Sequence, residues 1–369
     1  MKTPSSPTLK LISVTLSILG VNIFLIVILV NFLYAQNLSK TYRPYPLPSK
    51  PLSFDYSDKL STKIFDLNVR YLLNNKCADS FQPNIVWVVT SYYSHVELRS
   101  AHRRSYSPSL LKELGIRRFF LLARSKKEEI KQSAVNHENS RYSDLIQGDF
   151  LEDYRNLTYK HVMGLQWALN NCKDFKYIIK MDDDIVVNLF ELLSLLANYE
   201  GEITLMGYVM TQMEVIRREV NKWFVKDQEF SGSEYPPFLS GWLYVSTRAT
   251  ISKLLSFTNE IRYFWIDDVY VTGLLAERAG VGHQMINSKY TTDYGYIKCC
   301  MKYDFVCDIF VGPNGGDNNL QVAFFNYAEK CRNNKCPPAP SNFSVEKKCV
   351  LPYDRKQLFG GKASVDVLT

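Results

Sequence analysis

The chain has 369 residues, enough for one large domain or two modest ones; its apolar content of 46% is ordinary and its aromatic content of 14% is rich. The net charge of +7 is mild and spread along the chain. The only compact basic cluster, Arg99–Arg104, is too small for a nucleic-acid interface, although a basic protein still favours an anionic small molecule.

The first element is Leu11–Tyr34. It carries no charge, and only Asn22 and Asn31 interrupt a run of mostly Leu, Ile, Val and Phe. As a helix it would be roughly 36 Å long, against a bilayer core of about 30 Å. A cleaved signal peptide is the competing reading, but the run is long for one and the residues up to Ala35 make a poor small-x-small cleavage site. Flanking charges hardly orient the span, with Lys2 and Lys10 before it and Lys40, Arg43 and Lys50 after it. All eight Cys follow it, however, as do N-x-S/T sequons at Asn37, Asn156 and Asn342, which suits an oxidising, glycosylating lumen. The expected order is a cytosolic tail (1–10), a transmembrane signal anchor (11–34), and a luminal body behind a proline-rich stem (35–80).

The body then alternates strand and helix. NIVWVVTS (84–91) predicts a strand, 94–105 a helix, RRFFLLA (117–123) a strand, 125–139 a charged helix and 144–147 a short strand. The clearest helix is 154–172, with Leu157, His161, Leu165, Ala168 and Cys172 along one stripe. A strand at 176–181 and a helix at 189–197 follow. Beyond residue 200 the pattern is mixed, with strands at 203–209 and 242–246 and helices at 248–256 and 267–279. This order predicts an α/β fold with a largely parallel sheet flanked by helices, whose ligands bind beyond the carboxyl ends of the strands. The tail, 291–369, holds six Cys and reads as a disulfide-held cap of open connectivity. Cys331 and Cys336 lack the paired second knuckle of a zinc site.

YIIKMDDDIVV (177–187) sets three carboxylates at the end of a buried strand, where ionised groups need partners. Side-chain alternation points Asp182 and Asp184 one way and Asp183 the other. Two converging carboxylates suit Mn²⁺ or Mg²⁺ with positions left open for a nucleotide diphosphate. An acidic strand end that is solvated, or that caps the next helix, is the plainer alternative. No EF-hand is present, for want of its glycine and terminal glutamate.

Five ordered blocks between Ile85 and His283 carry a resemblance: ELRSAHRRSY, GDFLEDYRNLTYKHVMGLQW, KMDDDIVVN, YPPFLSGWLYVST and IDDVYVTG. Together they resemble glycosyltransferase family 31, the β-1,3-galactosyltransferases and β-1,3-N-acetylglucosaminyltransferases, which are Golgi type II enzymes distantly related to Fringe. The resemblance implies a GT-A-like, Rossmann-like catalytic domain (81–290), a UDP-sugar donor, a glycan acceptor, a divalent metal such as Mn²⁺, and inversion at the anomeric carbon. It puts the metal on Asp182 and Asp184. It makes Arg99, Arg103, Lys180, Asp182 and Gly241 candidates for contacts to the donor, with a solvated helix face as the alternative for the two arginines. Asp149 would contact the uridine, or else cap a helix. IDDVYVTG would supply the general base that takes the acceptor proton, Asp268 ahead of Asp267, unless both only cap the helix that follows.

Three positions depart from the family pattern. Tyr106 stands for a Trp, Ala123 for a Gly, and Trp242 for a small residue beside the expected donor sugar. No clear distal metal His is present, and His283 reads as structural. Against an active transferase stands a second reading, a catalytically inactive, membrane-anchored glycan-binding protein of the same fold.

Overall fold

The computed structural model describes residues 69–77, 81–125, 131–340 and 343–351. The expected span, most of the stem, Asn37 and Asn342 lie outside these residues. Among the described residues no helix is long and apolar enough to cross a membrane.

An eight-stranded mixed sheet forms the centre. In chain order its strands are β1 (Tyr71–Asn74), β2 (Ile85–Thr90), β3 (Ile116–Arg124), β4 (Leu145–Leu151), β5 (Tyr177–Asp182), β7 (Leu205–Met210), β8 (Phe238–Thr247) and β9 (His283–Met285). The spatial order is β1-β4-β3-β2-β5-β8-β7-β9. The middle pairs, β4-β3, β3-β2 and β2-β5, are parallel. The apolar run IVWVVT and the mostly apolar YIIKMD, buried except at its last residue, suit this position, because helices cover both faces of a parallel sheet. Strand β8 then runs antiparallel to β5 and to β7. The chain turns from one side of β2 to the other between β4 and β5, making a switch point where Thr90 lies opposite Asp182.

The helices are α1 (Val96–Ser105), α2 (Pro108–Glu113), α3 (Gln132–Tyr142), α4 (Leu157–Asn171), α5 (Leu189–Ala197), α6 (Arg248–Ser256), α7 (Leu275–Ala279), α8 (Tyr294–Cys300), α9 (Leu320–Asn334) and α10 (Val345–Lys348). One expectation changes and another gains detail. The charged helix expected at 125–139 is shifted to Gln132–Tyr142, because Ser125 and Lys131 are not helical and Lys131 is the N-cap. The helix expected at 267–279 is present with those bounds: Asp267 and Asp268 open it, a π-helical turn fills Val269–Leu274, and α7 runs on to Gly280, whose φ of 63° suits a glycine.

All eight cysteines are paired: Cys77–Cys172, Cys299–Cys349, Cys300–Cys307 and Cys331–Cys336. The first ties the exit of β1 to the end of α4, so Cys172 closes a covalent loop as well as ending the helical stripe. The other three fasten the tail around a small apolar core of Ile297, Cys300, Leu320, Phe324, Cys331 and Cys349, which Val186 joins. That contact has a structural cause. Strand β6 (Ile185–Val187), directly after the three aspartates, pairs with β10 (Val311–Pro313) of the tail. Asn314 N also donates to the Asp184 carbonyl at 2.8 Å. The cysteine-rich segment therefore grips the exit of the acidic turn.

Candidate active site

The acidic turn is positioned from three directions. Asp182 ends β5, while Asp183 and Asp184 form the turn before β6. Asp183 is buried and points toward α1, where His95 Nδ1 meets its Oδ2 at 2.9 Å and His102 Nε2 meets its carbonyl at 2.9 Å. Asp184 is exposed and Asp182 partly so, which is the alternation expected of an extended chain. Tyr106, in place of tryptophan, is fully buried edge-to-face against Trp87 and Phe325. Its hydroxyl donates to Val187 O at 2.7 Å and accepts from Leu189 N at 3.2 Å, so it braces the segment leaving the turn.

What meets the charge at the strand end is a lysine two residues upstream. Lys180 is 1% exposed. Its Nζ donates to Asp182 Oδ1 and to Gly241 O, both at 2.9 Å. The same ammonium lies 3.8 Å from Asp267 Oδ2 and 4.0 Å from Asp268 Oδ1. Burial alone would strip its proton, but the three carboxylates more than offset this and hold it charged far above the ordinary lysine range. Lys180 thus sits at the hub of the cluster with its donors directed at protein acceptors, rather than reaching out toward a ligand.

Asp267 and Asp268 are adjacent in sequence but unlike in environment. Asp267 accepts from His161 Nδ1 at 2.9 Å, and its side chain is 13% exposed. Burial works to raise its pKa, and Lys180 with His161 more than reverses this, pushing it down to about 2. Asp268 is 27% exposed, and Gly241 N donates to its Oδ2 at 2.8 Å. Burial and the charge of Asp267 hold its carboxyl well above the usual range. Asp182 is pushed up to about 7 by burial, with Asp184 and Asp267 adding repulsion against the pull of Lys180. The pair divides into a fixed anion and a proton-holding partner, the pattern that marks acid–base sites. The helix-capping alternative fails for Asp268, whose side chain makes no capping bond to the π-turn.

Gly241 is required by this geometry. A Cβ there would lie 2.2 Å from Asp268 Oδ1 and 2.8 Å from its Cγ. The glycine lets the carboxylate lie directly on the β8 backbone. Trp242, half-buried, follows it on the same strand.

Other expected site residues lie elsewhere. Arg99 is fully buried and spends all five donors inside the protein, on Glu138 Oε1 and Oε2, Ser91 Oγ, Tyr92 O and Tyr93 O. Arg103 is bound by Asp144 and Glu138 at 2.7–2.9 Å. Both stand in internal ion pairs rather than on a solvated helix face; Arg99, through Ser91, Tyr92 and Tyr93, also shapes the loop after β2. Asp149 lies on β4 with Arg70 and Arg124 each 3.5 Å away, and Asp153, not Asp149, caps the helical turn that follows. His283 is buried with Nε2 2.6 Å from Thr272 O, in keeping with a structural part. The sequon at Asn156 is tied down: its amide donates to Leu151 O, and the buried Thr158 donates to Phe264 O. The sequence pattern marked His161 only as a member of the α4 stripe. Nothing local distinguished it, because its partners lie 83 and 106 residues away.

The galactosyltransferase family model matches residues 97–287, a stretch that includes the acidic turn, Lys180, Gly241 and both Asp267 and Asp268. The chain belongs to this family, glycosyltransferase family 31, and is by that membership a glycosyltransferase. It is 29% identical to human β-1,3-galactosyltransferase 5 over 296 residues, which cover 79% of this chain and 90% of the relative. It is 30% identical to human β-1,3-galactosyltransferase 2 over 229 residues, covering 60% of this chain and 54% of that one. Among solved structures, a mannosyltransferase from Pyrobaculum calidifontis in complex with GDP-Man and Mn²⁺ matches 76% of this chain at 12% identity with a TM-score of 0.33. That likeness decides nothing further about this chain.

Proposed function

We propose that the protein transfers a hexose, galactose ahead of N-acetylglucosamine, from a UDP-sugar to a glycan hydroxyl in β-1,3 linkage with inversion. The observation that carries this reading is the Lys180 hub, which gathers Asp182 and Asp268 around one ammonium at the switch point of the sheet. The names of the relatives favour galactose.

The donor set fits a hard divalent cation. Asp184 is exposed, and Lys180 holds only Oδ1 of Asp182, leaving carboxylate oxygen for a metal such as Mn²⁺. When bound, such an ion supplies Lewis-acid stabilisation for the diphosphate leaving group. Asp182 and Asp184 would hold it, and Asp183, fixed by His95 and His102, keeps the turn in shape. Asp268, in its ionised form, accepts the proton of the acceptor hydroxyl as that oxygen attacks the anomeric carbon. Its raised proton affinity and greater exposure suit this better than the anchored, low-pKa Asp267. Lys180 balances the negative charge throughout.

The test is a split between variants. Asp268→Asn is expected to keep UDP binding and the fold while losing transfer by roughly 10²–10⁴-fold. If Asp268→Asn transfers sugar normally, the base lies elsewhere. The reading also takes the chain as a single-pass type II Golgi membrane protein anchored by Leu11–Tyr34, with its body in the lumen. Closure of all eight cysteines in disulfides supports an oxidising compartment. Endoglycosidase-sensitive glycan on Asn37, with the body protected from protease in sealed microsomes, is the expected result. A body digested outside intact vesicles would reverse the orientation.

A further inference from the structure

Arg118, near the start of β3, is 3% exposed, and among the described residues it forms no salt bridge. Its Nη1 donates to His102 O at 2.7 Å and to Tyr106 O at 3.2 Å, carbonyls at the end of α1. That bond pair accounts for Nη1 alone. Nε is buried without a hydrogen-bond partner, and Nη2 makes no bond within the protein. Trp87 and Phe120 place their rings 5.7 and 5.1 Å from the guanidinium carbon, which favours the cation but offers it no oxygen. Burial, with Arg103 and Arg117 adding repulsion against the pull of Asp144, pushes the guanidinium down to about 10, so it is still charged at neutral pH. A buried charge with no counter-ion is costly to keep.

Arg118 lines a cavity of about 280 Å³ bounded by α1, α2, the start of β3 and the end of α3. Arg103, Arg104 and Arg117 line it too, against one carboxylate, Asp144. Arg103 takes both oxygens of Asp144, at 2.9 and 2.7 Å. Arg104 is exposed, and its one hydrogen bond is to Ser100 Oγ. Arg117 and Arg118 are level with Val86 and Trp87 of β2, toward the amino ends of the strands, whereas the acidic turn leaves the carboxyl end of β5. We propose that this cavity is an anion site, in which a tetrahedral oxyanion (phosphate or sulfate, free or as an ester on a sugar) accepts from Nη2 and Nε of Arg118, with Arg104 and Arg117 supplying further positive charge. Those two nitrogens share the side edge of the guanidinium, whose parallel N–H groups match an oxyanion in bidentate fashion. The volume lies just below the range of about 300–1,000 Å³ typical of small-molecule sites, which suits one anionic group with a small substituent and not a nucleotide. The site is independent of the transfer reaction and of the base assignment.

The test is calorimetric and thermal titration of the full chain with sodium sulfate, sodium phosphate, galactose 6-sulfate and glucose 6-phosphate, in EDTA and at constant ionic strength set with chloride. Saturable binding with a Kd of about 1 mM or tighter is expected, the strength of two charge-assisted hydrogen bonds less the cost of ordering the ion. The melting midpoint is expected to rise by about 3 °C at about 20 mM ligand. Arg118→Met is expected to abolish both effects, and Arg104→Gln to weaken binding about threefold. Because Arg104 is exposed, Arg104→Gln keeps the test open should Arg118→Met fail to fold. Asp184→Asn is expected to bind the anion like wild type, which separates this cavity from the acidic turn. Tighter binding of the inorganic ions identifies the ligand as a free ion, and tighter binding of the esters identifies it as a sugar ester. No saturable binding up to about 20 mM overturns the proposal, as do equal heats and equal midpoint shifts in wild type and both arginine variants, the result that general stabilisation by excluded anions gives.

Discussion

The closest fit in the site is between Gly241 and Asp268, and it gives the sharpest test. In Gly241→Ala the new methyl would stand 2.2 Å from Asp268 Oδ1, where ordinary contact begins at 3.4 Å. The carboxylate must therefore retreat by roughly an ångström, since carbon and oxygen cannot overlap and the Gly241 backbone is held through its carbonyl by Lys180 Nζ. The 2.8 Å bond from Gly241 N lengthens with it. Displacement of a catalytic group by about 1 Å costs on the order of 10²-fold in rate, because the near-attack geometry with the acceptor oxygen is lost. The three atoms nearest the methyl all belong to Asp268, so donor binding on the Asp182 and Asp184 side is expected to be spared. Steady-state transfer assays with a UDP-sugar and acceptor are expected to show kcat lowered about 10²-fold with the KM for donor little changed, alongside UDP affinity by calorimetry within about threefold of wild type. A variant with kcat within a few-fold of wild type would show that Asp268 need not occupy the position it has here. That would refute both the glycine's role and the base assignment.

Chelation should abolish turnover and Mn²⁺ should restore it, with Asp184→Asn raising the Mn²⁺ concentration needed, measured by titrating metal into the apo enzyme; full activity in EDTA excludes the metal role. Stability should report the pair with opposite signs. Because Asp268 has a folded-state pKa raised above its unfolded value, its favourable contribution is complete below about pH 4 and is lost as pH climbs toward the folded value. Asp268→Asn is therefore expected to melt higher than wild type near pH 7, with the gap closing toward pH 4; an equal gap at both pH values speaks against the shift. Asp267, depressed to about 2, contributes stability above about pH 4 that is lost as pH falls through 2, so Asp267→Asn is expected to melt lower at pH 7. Replacing Cys77 and Cys172 together by Ser opens a 95-residue separation and is expected to cost about 2–4 kcal/mol in denaturant unfolding, a figure to be compared with an unchanged midpoint as the refuting result.

The sequence by itself determined the alternation of strand and helix, since buried parallel strands need unbroken apolar runs and the helices need a 3.6-residue stripe. It also located the chemistry: the three aspartates fall at a strand end, and their alternation there follows from the period of an extended chain. Tertiary structure alone decided how those groups share charge. Lys180 lies two residues from Asp182 in a pattern that reads as one more strand residue, and only pairing with β8 brings Gly241 O, and the π-turn brings Asp267 and Asp268, to the same ammonium. Arg99 and Arg103 carried the residue type of phosphate ligands, but Glu138 and Asp144, some forty residues on, neutralise them inside the fold. His161 was indistinguishable from a core position until β8 and the Asp267 turn closed on it. Periodicity records which side of an element faces the interior. Which charges meet there depends on contacts between residues far apart in sequence, and those contacts set each proton affinity.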